Sequence, residues 1–394
     1  MMMKRRLASI DVIRALTMYF MVFVNDLWTD KSIPTWLEHA PGKADAMGFA
    51  DIIFPAFLFI VGLSIPYIQQ SRLERGQSRA LIFRHIVFRS VALIVMGFFQ
   101  MNMENYSNQS LLPRSIWVIL VTVSFFLIWM DYPKGKSKKM RWLQILGIAI
   151  LIVMAAVYKG NSPHGIIWMQ SHWWGILGLI GWAYFACATI SLFGGERLVP
   201  LVAFFIFFVF INSIVMLNGP LFPDAIAHWI PSFGLGNASN SSITILGVIC
   251  AVLYRKFSEK TIRIEIILIL IAVMLFVFGF ATRPLWGISK IRATPSWTTI
   301  CSAISILAFA FLIFLVDKKG KENWFKAIKP AGTSTLTCYL LPYLHEAIFL
   351  SIIGIHLPLI IRTGWAGVIK SLVFALVIVL ITGWLEKRRL RLKI

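Results

Sequence analysis

Runs of apolar residues recur along the whole chain, and they limit what it can fold into more than any other feature. A run of about twenty residues wound as an α-helix crosses the ~30 Å hydrocarbon core of a bilayer. Twelve such runs can be marked, near 10–28, 50–69, 81–100, 115–130, 142–158, 173–193, 198–217, 241–255, 262–281, 297–316, 332–352 and 366–385. A membrane β-barrel would instead show ~10-residue segments of alternating polarity. Only 14% of the residues are charged, against about 25% in a soluble domain. The sequence predicts an all-α polytopic integral membrane protein with about 11–12 transmembrane helices. Because the polar stretches between runs are short, residues 1–394 read as a single transmembrane domain with no separate soluble domain.

The formal net charge of +21 raises the question of nucleic acid, and its distribution excludes that partner. With the N-terminus in the cytoplasm, the inner segments hold 27 basic residues and the outer segments only eight: Lys31, Lys43, Arg114, Lys159, Arg283, Lys290, Arg292 and Arg362. That bias is what the positive-inside rule demands. The basicity therefore sets topology, with both termini cytoplasmic in a multi-pass protein. The first apolar run carries Asp11 and Arg14 and lacks a small-residue cleavage site, so it reads as a retained helix rather than a signal peptide. Cys187, Cys250, Cys301 and Cys338 all fall inside predicted spans without metal-ligand spacing. They read as small packing residues, and no metal is expected.

Ionisable groups within apolar spans are costly and mark functional candidates. Asp11 and Arg14 lie three apart on one helix face. They form either a structural ion pair or a place where Arg14 meets an anionic cofactor entering from the cytoplasm. Asn25 and Asp26 end the first span, Asp51 opens the second, and Glu38-His39-Ala40-Pro41 lies between them. A carboxylate beside a histidine fixes its tautomer and raises its basicity, which suits a general base. An asparagine amide can steady a developing oxyanion. His39, Asn25 and Asp51 are therefore the catalytic candidates, with Asp26 as a neighbouring substrate contact.

The segment ISKIRATPSW (288–297) forms a second constellation. Thr294-Pro295 has the form of a helix start, which leaves Ser289, Lys290 and Trp297 as candidates for a sugar's hydroxyls and apolar face. His164, His172 and His228 lie near tryptophans in other outer segments, where an interfacial aromatic belt accounts for them. His345-Glu346 is a polar pair within the eleventh span. These residues leave two classes open. One is proton or acyl chemistry at a membrane surface; the other is a transporter or flippase for a sugar or lipid-linked glycan.

Five stretches sharpen the choice: RLASIDVIRALTMYFMVFVND (6–26), EHAPGKADAMGFADIIFPAFLFIVGLSIP (38–66), GILGLIGWAYF (175–185), ISKIRATPSW (288–297) and AGTSTLTCYLL (331–341). In this order they resemble the heparan-α-glucosaminide N-acetyltransferase family of transmembrane acyltransferases. The resemblance implies acetyl transfer from cytosolic acetyl-CoA to an amine or hydroxyl of an amino sugar or glycan on the periplasmic side. It implies His39 as base or transient acyl carrier, and Asn25 as the group that steadies the thioester carbonyl. Membrane lipids and the glycan acceptor are then the expected partners, and a homodimer is compatible with the pattern. The chain departs from the family pattern at Gly42, where a tryptophan is typical, at Ala15, where an Arg-Gly pair is usual, and in the His39-to-Asp51 spacing. These departures imply a reshaped acceptor loop in a bacterial inner-membrane member.

Overall fold

The computed structural model describes residues 8–133, 140–163, 165–171, 175–218, 238–257 and 261–394. His164, His172 and His228, with the tryptophans beside the last two, lie outside these residues. The helices are α1 (Ala8–Asp26), α2 (Ala50–Glu74), α3 (Arg79–Asn102), α4 (Arg114–Trp129), α5 (Arg141–Ala156), α6 (Ile176–Gly194) and α7 (Leu198–Asn218). They continue as α8 (Ser239–Phe257), α9 (Thr261–Trp286), α10 (Pro295–Leu312), α11 (Thr335–His345) and α12 (Gly364–Lys387). Wider π-helical turns extend α10 over Ile313–Lys318 and α11 over Glu346–Ile352. A small antiparallel hairpin, β1 (Gly160–Ser162) and β2 (Gly165–Ile167), pairs Asn161 with Ile166.

Each of the twelve apolar runs coincides with one of these helices. Among the described residues, nine are long and apolar enough to cross a bilayer. The other three are α4 and α5, which are shorter, and α8, whose first turns carry four hydroxyls. The protein is an all-α polytopic membrane protein.

The chain divides into two compact units. The first takes in the chain up to Thr17, Pro34–Ile94 and Leu179–Lys326; the second is Met18–Ile33, Val95–Gly178 and Ala327–Ile394. At the centre of the first lies α8, buried continuously from Ser241 to Tyr254. Its hydroxyls are tolerated there because they are used internally: Ser242 donates to the Ser239 carbonyl (2.7 Å) and Thr244 to that of Asn240 (2.8 Å). Helix α8 meets α2 at two facing glycines. A Cβ on Gly62 would overlap the Thr244 carbonyl, and one on Gly247 would overlap that of Phe59. Such close approach maximises dispersion contact where no hydrophobic drive separates helix from lipid. By contrast α7 and α9 turn large apolar side chains outward, among them Phe204, Ile206, Phe210, Met274, Val277 and Phe280. In water these faces would be a liability; in a bilayer they are solvated.

The second unit is organised by aromatic packing. Trp117 is fully buried, stacks on Phe99 and lies against Tyr106 and Tyr158, while its indole N–H donates to the Met154 carbonyl (2.9 Å). Gly147 of α5 lets α4 approach closely, since a Cβ there would sit 3.0 Å from the Ser124 carbonyl oxygen. The four cysteines are buried and unbridged, as a packing role expects.

Candidate functional site

The site is built where the loop before α2 folds back over that helix's first turn. Asp51 is the second residue of α2, at the positive end of the helix dipole, where a carboxylate is favoured. Gly48 makes the approach possible, because a Cβ there would overlap the Glu38 carbonyl oxygen and lie 3.1 Å from that of Trp36. The fold-back is tied by Phe49 N–H donating to the Trp36 carbonyl (2.7 Å). One Asp51 oxygen accepts from the backbone N–H groups of Ala40 (3.0 Å) and Gly48 (2.9 Å). The other lies 2.6 Å from His39 Nδ1.

This geometry decides the state of the imidazole. The Asp51 side chain is 1% exposed and that of His39 is 48% exposed. A buried carboxylate acceptor fixes the proton on Nδ1, so Nε2 presents its lone pair at the accessible edge.

Lys290 arrives from the loop that precedes α10. Thr294 caps that helix, accepting from Trp297 N–H (3.4 Å) with Pro295 in its first turn. The same hydroxyl oxygen accepts from Ser289 N–H (3.1 Å), which closes the loop on itself. Lys290 Nζ lies 3.2 Å from His39 Nδ1, 3.4 Å from Nε2 and 4.0 Å from an Asp51 oxygen. Since Nδ1 bears a proton, the ammonium rests against the ring rather than donating to that nitrogen. Burial pushes the Lys290 ammonium below the ordinary lysine value, against the opposing pull of Asp51. An imidazole oriented by a carboxylate, with its Nε2 lone pair beside a lysine ammonium, can take a proton or attack a carbonyl. The cation can meet the charge that develops on oxygen.

The structure thus brings His39, Asp51 and Lys290 together in the first unit, and it places Ser289 and Trp297 beneath them. Both of the latter are 2% exposed. The Ser289 hydroxyl donates to the Gly42 carbonyl (3.2 Å), and the Trp297 indole N–H donates to the Asp51 carbonyl (3.3 Å). Arg14, at 3.1 Å from Asp11, also donates to the Ser64 hydroxyl (2.7 Å), which is the structural ion-pair arrangement.

Asn25 and Asp26 belong to the second unit, in the last turn of α1. Asn25 is exposed. Asp26 joins a buried polar cluster that sequence reasoning missed. Lys370 Nζ lies 2.7 Å from Asp26 and 2.8 Å from Asp30, and the Ser371 hydroxyl lies 2.7 Å and 2.8 Å from the same two carboxylates. The available signal was Lys370 itself, a cation in the middle of an apolar run. His345 packs on Phe349 and Phe374, and Glu346 pairs with Arg114 at 3.4 Å.

Comparison with known proteins adds two findings. The family model described as "Domain of unknown function (DUF5009)" matches residues 6–235, a stretch that holds Asn25, His39 and Asp51 but not Lys290. Heparan-alpha-glucosaminide N-acetyltransferase of Homo sapiens is 35% identical over 105 residues, and that of Mus musculus is 36% identical over 105 residues. Each match covers 26% of this chain and only 14% of the relative's own length.

Proposed function

The chain belongs to the DUF5009 family, and we propose that it is a transmembrane acyltransferase. It moves an acetyl group from acetyl-CoA on the cytoplasmic side to the amine, or hydroxyl, of an amino sugar or glycan on the periplasmic side of a bacterial inner membrane. The observation that carries this reading is the 2.6 Å contact between His39 Nδ1 and the buried Asp51 carboxylate, which turns the imidazole lone pair to Nε2, beside Lys290. The partial likeness to an N-acetyltransferase supports the same class of chemistry.

In this reading Nε2 of His39 removes a proton from the acceptor amine as its nitrogen attacks the thioester carbonyl. The C–N bond forms, the C–S bond breaks, and the proton held on Nε2 passes to the departing thiolate. Thioester and amine thus become amide and thiol without a redox partner. Alternatively, Nε2 itself carries the acetyl group between the two half-reactions, with the same net balance. Asp51 holds the tautomer and stabilises the imidazolium. Lys290, 3.4 Å from Nε2, faces the region where oxyanion charge develops. Arg14 is proposed as a contact for the anionic donor.

The test uses the purified protein in sealed vesicles, with acetyl-labelled CoA on one side and a panel of amino sugars and cell-wall glycans on the other. Label is expected on an acceptor across the bilayer. Sugar uptake without CoA, unchanged by His39→Ala, would instead identify a transporter or flippase.

A further inference from the structure

His39 and Lys290 are 251 residues apart in sequence and sit on different loops, so something must hold those loops in register. Within the loop 40–48 only Gly48 is buried. Its order comes from a polar clasp. Asp45 accepts from Arg283 Nε (2.8 Å) with one oxygen and from Ile288 N–H (2.6 Å) with the other. Ala46 N–H donates back to the Ile288 carbonyl (3.1 Å), which closes a two-way bridge between the loops. Two further donors, Arg292 Nε (3.1 Å) and the Ser289 hydroxyl (3.2 Å), converge on the Gly42 carbonyl. Gly287 takes a positive φ of 70° where its backbone passes Asp45, and a Cβ there would lie 3.3 Å from the Asp45 carboxylate.

We infer that Asp45 is a positioning residue that docks the His39 loop onto the Lys290 loop and so sets the contact between imidazole and ammonium. Among the described residues, no other side chain hydrogen-bonds to both the Lys290 loop and the end of α9 from the His39 loop. Asp45 lies on the chain between His39 and Asp51, and Ile288 lies two residues before Lys290, so a shift of the clasp moves the two functional groups relative to each other. The ion pair is exposed on both sides, 45% for Arg283 and 47% for Asp45, so by itself it contributes little to global stability. Its effect is on local order. The Ile288 N–H, and after it the Arg283 guanidinium, hold the Asp45 carboxyl below the usual carboxylate range, so the clasp stays charged through the neutral range.

The experiment compares wild type with Asp45→Ala, Asp45→Asn and Arg283→Gln in the full chain, each checked for an unchanged thermal midpoint. The first readout is carbethoxylation of His39 by diethyl pyrocarbonate, followed by peptide mass. It does not require catalysis. Loss of the clasp is expected to raise the His39 modification rate several-fold in Asp45→Ala, less in Asp45→Asn, and similarly in Arg283→Gln. Unchanged His39 reactivity in all three would overturn the inference. The second readout rests on the acyl-transfer reading: kcat falls by about tenfold or more while the donor KM stays constant, since small misplacement of reacting groups is costly. Altered reactivity with no transferase activity even in wild type would sustain the clasp and remove that reading.

Discussion

His39 Nδ1 lies 2.6 Å from a carboxylate oxygen of Asp51 whose partner oxygen is held by two backbone N–H groups. The acid is therefore fully committed, and it acts on the imidazole by orientation and charge. Replacing Asp51 with asparagine keeps its shape but substitutes a neutral amide that can turn its NH2 toward Nδ1. The proton then moves to Nε2, the wrong nitrogen for a base. Steady-state assay of Asp51→Asn is expected to show kcat lowered by about a hundredfold or more, with donor KM little changed. An unchanged kcat would remove Asp51 from the mechanism.

Lys290 makes a pH-dependent contribution whose sign follows from burial. Its folded-state pKa is lowered from the ordinary 10.5. Between those two values the unfolded chain binds more protons than the folded one, so folded stability rises with pH across that window. Below it the full cost of the buried ammonium is present. Thermal unfolding of wild type and Lys290→Met in detergent, followed as pH rises toward 10.5, should show the difference moving in favour of wild type. A difference that is flat, or that moves the other way, would contradict the burial account.

The facing glycines of α2 and α8 are expected to be intolerant of even one added carbon. Gly62→Ala or Gly247→Ala forces a Cβ into the opposing backbone, which has no flexible end to yield. Each should cost about 1–3 kcal/mol through helix separation, read as a lower thermal midpoint of the purified protein. A midpoint equal to wild type for both would mean the helices are not held this closely.

In the second unit, Lys370 is the only cation hydrogen-bonded to the Asp26–Asp30 pair among the described contacts, and its side chain is 11% exposed. Lys370→Met leaves two buried carboxylates uncompensated, a loss of about 3–5 kcal/mol. Adding Asp30→Asn should recover part of it, which a double-mutant cycle of unfolding midpoints would detect. Additive effects would show that the three groups do not act together.

Much of this architecture was legible in the chain. Hydropathy alone located the helices α1 to α12, since a bilayer leaves no other way to satisfy the backbone of a twenty-residue apolar run. That extended to α8, whose hydroxyls bond to their own helix and so do not break the pattern. The His39–Asp51 pair was legible because both residues flank the start of one helix. Its completion by Lys290 was only half legible: the motif marked the residue, but nothing local says which loop it meets. The Asp45 clasp and the Asp26–Lys370 cluster join residues more than 200 positions apart, and a single sequence carries no trace of such pairings. The roles expected of Ser289 and Trp297 rested on residue type. Their burial follows from packing at the start of α10, which residue type does not reveal.

The most direct measurement is the rate at which purified wild type, His39→Ala and His39→Gln transfer labelled acetyl from acetyl-CoA to an amino-sugar acceptor, with folding of each variant verified. The account predicts turnover in wild type and a loss of at least about a hundredfold in both variants, because among the described residues no other group at the site offers an imidazole nitrogen. Transfer by either variant at the wild-type rate would contradict it.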